Sequence, residues 1–204
     1  MEKFFSLPEE KQNAIINAAL TTFGTNGYKK TSVSDIAGAA GISKAMVFHY
    51  FGTKKELYFY MVKLCGKIIM DEVNEKFDNT ITDFFERIKL TSEIELSVMK
   101  RYSAIPAFIT SAYFENDEEV RADLQALFAD GDGFRNKIAF DGTDTSKFKE
   151  GVDINLVVKM LLWLAEGYTS HLSKNTDINF DEMLTEFNEC MDLLKKNLYK
   201  KEYL

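Results

Sequence analysis

Few side chains in this sequence are arranged for covalent chemistry. His49 and His171 are its only histidines, and Cys65 and Cys190 its only cysteines. Neither histidine stands in a Glu-x-x-His arrangement and no motif puts histidine beside cysteine, so metal-centred and triad catalysis lack their minimum residue sets. A Gly-x-Gly-x-x-Gly turn and a phosphate-binding P-loop are both missing. The run Asp130-Gly-Asp-Gly133 resembles the start of a calcium loop, but without the third ligand, the glycine register and the closing glutamate it reads as a helix kink. His171 falls near the end of an apolar stretch, where an interface or cap hydrogen bond is its expected role. Cys65 and Cys190 fall on apolar stripes and read as small hydrophobes, with redox sensing at Cys65 the less favoured role. The expectation is a protein that is not an enzyme and uses no metal or cofactor.

The segment Ser43-Lys-Ala-Met-Val-Phe-His-Tyr50 reads differently. As a short helix it should turn Val47 and Phe51 inward onto Ile36 and Ala37, leaving Lys44, Ala45, Met46, His49 and Tyr50 to face outward. A lysine can bond guanine O6 and N7, and methyl-bearing side chains can touch thymine. Surfaces seldom present Met46, His49 and Tyr50 together without a partner. Charge points the same way. Residues 1 to 55 hold seven lysines against four acids, a net +3, whereas the remainder carries −10 of the chain's total of −7. A basic head on an acidic body suits a polyanion-binding end.

The elements that must hold this segment are helical. The chain has 204 residues, 46% of them apolar, with 11 glycines and 2 prolines, about half the usual share of those two types. Enough apolar material is present for a core, and too few turn residues for a sandwich or barrel. Six capping boxes are visible, at Ser6/Glu9, Ser32/Asp35, Thr53/Glu56, Thr80/Asp83, Asn116/Glu119 and Asn179/Glu182. They predict helices from about 8 to 26, closed by Gly27, then 33 to 40 and 43 to 51, the last two joined by a glycine turn in the manner of a helix-turn-helix. Longer helices follow over 54 to 77, 81 to 102 and from Pro106 to Ala112, with one kinked helix from about 116 across the 130–133 glycines. Residues 154 to 172 are apolar on nearly all sides, and 180 to 199 repeat Phe180, Phe187 and Leu194 at sevens. That pair would expose apolar surface in a monomer. The longest apolar-dominated run, Leu156 to Ala165, is too short to span a bilayer. No signal peptide is visible and the cysteines are too few for a disulfide framework, so a cytoplasmic location is expected.

The stretch Thr31-Ser-Val-Ser-Asp-Ile-Ala-Gly-Ala-Ala-Gly-Ile-Ser-Lys-Ala-Met-Val-Phe-His-Tyr-Phe-Gly-Thr-Lys-Lys-Glu-Leu-Tyr58 resembles the DNA-binding signature of the tetracycline-repressor (TetR) family of bacterial regulators. Ala18-Ala-Leu-Thr-Thr-Phe-Gly-Thr-Asn-Gly-Tyr28 is similar to that family's first helix and turn. The resemblance implies an all-α fold of about nine helices, with a helix-turn-helix DNA-binding domain over 1–53 and a helical ligand-binding and dimerisation domain over 54–204. It implies a ligand-responsive transcriptional repressor that binds a palindromic double-stranded DNA operator as a homodimer, paired through residues 154–172 and 180–199. By position, Ser43, Lys44, Ala45, Met46, His49 and Tyr50 would face the groove, while Tyr28, Lys29, Ser32, Ser34, Thr53 and Lys54 would hold phosphates. With no arginine before Arg87, lysines should dominate those contacts. A small, mostly apolar effector would bind among Met61, Leu64, Cys65, Phe84, Phe85, Tyr102, Phe108 and Trp163. The competing class is a helical enzyme or small-molecule carrier without specific DNA binding.

Overall fold

Three of the six capping boxes form their N-cap bond, and of these Ser32/Asp35 forms the full reciprocal pair. Ser32 accepts the Asp35 amide while Asp35 accepts the Ser32 amide, Thr53 Oγ1 accepts the Glu56 amide at 3.0 Å, and Asn179 Oδ1 accepts the amides of Asp181 and Glu182. At the other three, different local bonds are made. Asp83 takes the amides of Phe85 and Glu86, Asp117 takes that of Glu119, and Ser6 turns its hydroxyl back to the Lys3 carbonyl. The computed structural model describes residues 1–172 and 179–204, without the side chains of Asp132, His171 and Leu172. The role expected of the His171 side chain lies outside the described residues.

The helices are α1 (Glu2–Phe5), α2 (Glu9–Lys30), α3 (Val33–Ala39), α4 (Lys44–Phe51), α5 (Lys54–Lys76), α6 (Phe84–Arg101), α7 (Ala104–Tyr113), α8 (Arg121–Phe140), α9 (Ile154–Leu172) and α10 (Phe180–Leu198). The all-α expectation holds, with α1 a helix that the periodicity did not announce. Pro106 sits in the first turn of α7, where its missing N–H costs nothing. Among the described residues no helix is long and apolar enough to cross a membrane.

The chain forms two compact units, and they do not follow a cut at residue 53. The first comprises Met1–Ile68 with Tyr102–Ala129, and the second Ile69–Arg101 with Asp130–Leu204. Helix α7 joins the first because it packs along α2. Gly24 permits this: a Cβ there would lie 3.0 Å from the Phe108 amide nitrogen. Phe108 then meets Phe23 and Tyr58 at ring-centroid distances of 6.3 and 5.6 Å.

The second unit is built on α6 and α10. Its core collects Phe84, Phe85, Phe148, Met191 and Tyr199, and the Tyr199 hydroxyl accepts the Phe84 amide at 3.1 Å. Ion pairs lace the two helices, Lys89 with Asp192, Lys100 with Asp181, and Lys195 with Asp83 and Glu86 at 3.2 and 2.8 Å. Arg87 is fully buried and gives Nε to the Ile138 carbonyl and Nη1 to that of Ile81, at 2.8 and 2.6 Å.

Candidate nucleic-acid interface

The helix-turn-helix is assembled by short-range hydrogen bonds before it has any face to offer. Ile42 N–H returns to the Ala37 carbonyl across Gly41, whose φ of +66° suits glycine. The Ser43 hydroxyl accepts the Met46 amide at 3.2 Å and starts α4. Helix α4 packs on α3 and ends at Gly52, φ +82°.

On α4, Val47 and Phe51 are buried as their spacing requires, and Ser43, Lys44, Ala45, Met46 and His49 are exposed. Tyr50 corrects the expectation that it faces outward: it is only 6% exposed. Its ring lies against Phe4 and Phe51, at 6.3 and 6.4 Å. Positions 47, 50 and 51 form an i, i+3, i+4 triplet, so the periodicity already placed Tyr50 inside. Phe48, 40% exposed, takes its place in the outward set, with Lys44 Nζ 5.9 Å from its ring. The outer face of α4 is therefore one lysine, one imidazole and three apolar side chains, able to bond guanine and to touch thymine methyls.

The flanking turn departs further from expectation. Gly27, φ +71°, breaks the helical path inside α2 and leads into Tyr28, which is 1% exposed and packed against the rings of Phe23 and Tyr58. Burial and Glu119 push its phenol well above the usual range. As a phosphate contact through its hydroxyl, Tyr28 is corrected by this burial. Its amide donates to Glu115 Oε2 at 2.7 Å. Lys54 closes the same turn. Its Nζ sits 4.2 Å from the Tyr28 ring centroid and donates to the carbonyls of Tyr28 and Thr31 at 3.1 and 3.3 Å. Two of its three N–H groups are thereby spent inside the protein. Lys29, Ser32, Ser34 and Thr53 remain exposed around this edge, and Lys30 and Phe48 are exposed residues absent from the expected contact set.

The expected effector-lining residues divide between the units. In the first, Met61 and Cys65 are fully buried on α5, Leu64 is half-buried, Phe108 packs on α2, and Tyr102 is 42% exposed. Burial pushes the Cys65 thiol up to about 12, which leaves it a poor redox sensor. In the second, Phe84 and Phe85 pack edge-on to each other inside the aromatic core, and Trp163 is 55% exposed on α9 with Lys159 Nζ 5.1 Å from its ring. Among the described residues no three His, Cys, Asp or Glu side chains group to hold a metal ion.

Residues 15–61 match the family described as bacterial regulatory proteins, tetR family. The fatty acid metabolism regulator protein of Bacillus subtilis is 21% identical over 197 residues, spanning 94% of this chain and 97% of that protein. A TetR family transcriptional regulator from Chloroflexus aurantiacus superposes with a TM-score of 0.73 at 20% identity, over 98% of this chain and 99% of that one. FadR from Bacillus subtilis, solved in complex with stearoyl-CoA, superposes with a TM-score of 0.70 at 19% identity, over 88% and 96%.

Proposed function

From the match of residues 15–61 to the tetR family of bacterial regulatory proteins, we propose that this chain is a DNA-binding transcriptional regulator of that family, a cytoplasmic repressor that binds a near-palindromic operator as a homodimer and is released by a small, mostly apolar effector. The observation that carries the reading is the face of α4, where Lys44, Ala45, Met46, Phe48 and His49 stand exposed on a helix whose opposite face is locked into the head. One short helix with one lysine gains little affinity at cellular salt, so two heads must act together and the target must repeat with twofold symmetry.

A surface for pairing supports this. Leu156, Met160 and Trp163 on α9 are 51%, 44% and 55% exposed at helical spacing, and Leu193 on α10 is 62% exposed. Gly167 continues the α9 row, and no atom beyond its own helix would meet a Cβ there within 4 Å. Two such faces would cover each other and leave a close approach at the glycine. The effector class is read from the buried apolar and aromatic side chains Met61, Cys65 and Phe108 of the first unit and is supported by the stearoyl-CoA held by the Bacillus subtilis FadR structure. Helix α5 offers the coupling. It begins at the phosphate edge with Lys54 and carries Met61, Leu64 and Cys65 two to three turns further along. A ligand that distinguishes two states by about 1–3 kcal/mol lowers operator affinity about 5- to 150-fold, and operator DNA weakens ligand binding equally.

The test is selection of duplexes from a random pool by the full chain, followed by binding at several salt concentrations. A twofold-symmetric consensus and a log-log salt slope of several units are expected. Lys44→Ala should lower affinity for the selected duplex more than for random duplex. Equal losses on both would remove Lys44 from base reading, and failure to enrich any sequence would sink the operator assignment.

A further inference from the structure

Helix α1 has four residues, far below the length at which a helix persists alone in water. Something other than its own hydrogen bonds holds it. Phe4 is 0% exposed, and its ring meets Phe51 at 4.8 Å, Tyr60 at 5.8 Å and Tyr50 at 6.3 Å. Phe51 and Tyr60 close the box on one another at 5.5 Å. The chain leaving α1 is fastened as well. Gln12 Nε2 donates to the Leu7 and Phe5 carbonyls at 2.8 and 3.3 Å. Helix α4 thus packs against α1 as well as α3.

Two of the three aromatic walls around Phe4 belong to α4. Tyr50 is next in sequence to His49 and in ring contact with it at 5.8 Å, and His49 lies on the exposed face. A path of direct contacts therefore runs from Phe4 through Tyr50 to a side chain that stands where a base would be read. Helix α4 is only eight residues long, and its orientation depends on what its buried flank rests on. Phe4 is part of that rest.

We propose that Phe4 is a positioning residue for operator recognition: by filling the box formed by Tyr50, Phe51 and Tyr60 it fixes the pose of α4, so that residues 1–7 belong to the DNA-reading head. The inference rests on the DNA-binding reading above and adds to it a residue that touches no DNA. A positioning role differs from a charge role in what it changes. Loss of the plug loosens α4, which harms base contacts requiring fixed geometry and spares phosphate contacts made by flexible lysines. Loss of a cation harms both and lowers the salt slope.

The experiment uses the full chain with two probes, the duplex it enriches from a random pool and a random-sequence duplex of the same length. Phe4→Ala should bind the enriched duplex about tenfold more weakly, the size of one lost base contact, and the random duplex nearly as before with an unchanged salt slope. Phe4→Leu, which refills the box, should recover most of the loss, and Lys3→Ala should not reproduce it. Without DNA, hydrogen exchange of the 44–51 amides should quicken in Phe4→Ala while that of 84–101 stays as in the parent. Wild-type affinity for the enriched duplex, equal losses on both duplexes, or unchanged exchange over 44–51 would each overturn the proposal. A parent chain that enriches no duplex would overturn the operator reading instead, and the exchange measurement would still decide whether Phe4 holds α4.

Discussion

Replacing Lys54 by methionine separates two roles that its position allows. A lysine at the start of α5 is well placed for a phosphate, yet its ammonium bonds the carbonyls of Tyr28 and Thr31 and covers the Tyr28 ring. Hydrogen bonds from a charged donor contribute about 1.5–3 kcal/mol each, and a cation over an aromatic face about 0.5–2 kcal/mol. Lys54 is half-buried, so water replaces part of both in the variant. The expected net loss is about 1–3 kcal/mol, as two carbonyls at the Gly27 turn lose their donor. Native-state hydrogen exchange of the α2 and α4 amides reads this as a fall in local opening free energy. Lys29→Met is the contrast: its side chain is exposed, so opening should be unchanged while the salt slope for random duplex falls by about one. If Lys54→Met left the opening free energy untouched and lowered that slope by about one, its charge would belong to the DNA and the structural assignment would be refuted.

Trp163→Asp, and Phe187→Asp, which places charge beside Tyr168, should convert a dimer to a monomer by light scattering. A dimeric mass for both would move the interface away from α9 and α10. For acid stability the relevant group is Glu72, buried on α5 and bonded by Arg101 and by Lys76 at 2.5 Å, which hold its carboxyl down at about 2 against an ordinary 4.5. Because the folded pKa is the lower one, its stabilisation is present above about 4.5 and fades as pH falls toward 2; Glu72→Gln should melt lower than the parent at neutral pH, with the gap closing over that range, and a gap independent of pH would deny the ion pairs their role. Cys65→Trp should abolish the effector response while operator binding and dimer mass persist. An effector titration identical with and without operator DNA would show that no coupling exists.

Helix positions were legible because their signals are local. Ser32, Ser43 and Asn179 cap the helices that follow them with bonds to amides two or three residues on. Where the reading failed, the competitor was also local. Asp83 and Asp117 accept amides near the helix starts that the sequence assigns to Thr80 and Asn116, and a carboxylate is the stronger acceptor. The grouping of α7 with the head was not legible. It depends on Gly24 meeting the Ala107 and Phe108 backbone across more than eighty residues of sequence, and no spacing rule marks such a pair in advance.

The side chains proposed to face DNA were legible as types and less so as directions. On α4 the triplet 47, 50 and 51 announced three buried positions, but a tyrosine beside a histidine in a basic segment reads as a contact when amphipathic chemistry is weighed above period. At the Gly27 turn, residue type misleads for a different reason. Tyr28 and Lys54 have groups that suit a phosphate, and both are consumed in holding the turn that presents the neighbours. What the turn leaves exposed is Lys29 and Lys30, with Ser32 and Ser34 on the edge beyond them. Affinity at this edge should thus come from flexible ammonium groups whose position the buried pair sets, and sequence preference from the five exposed side chains of α4, whose pose is set from beneath.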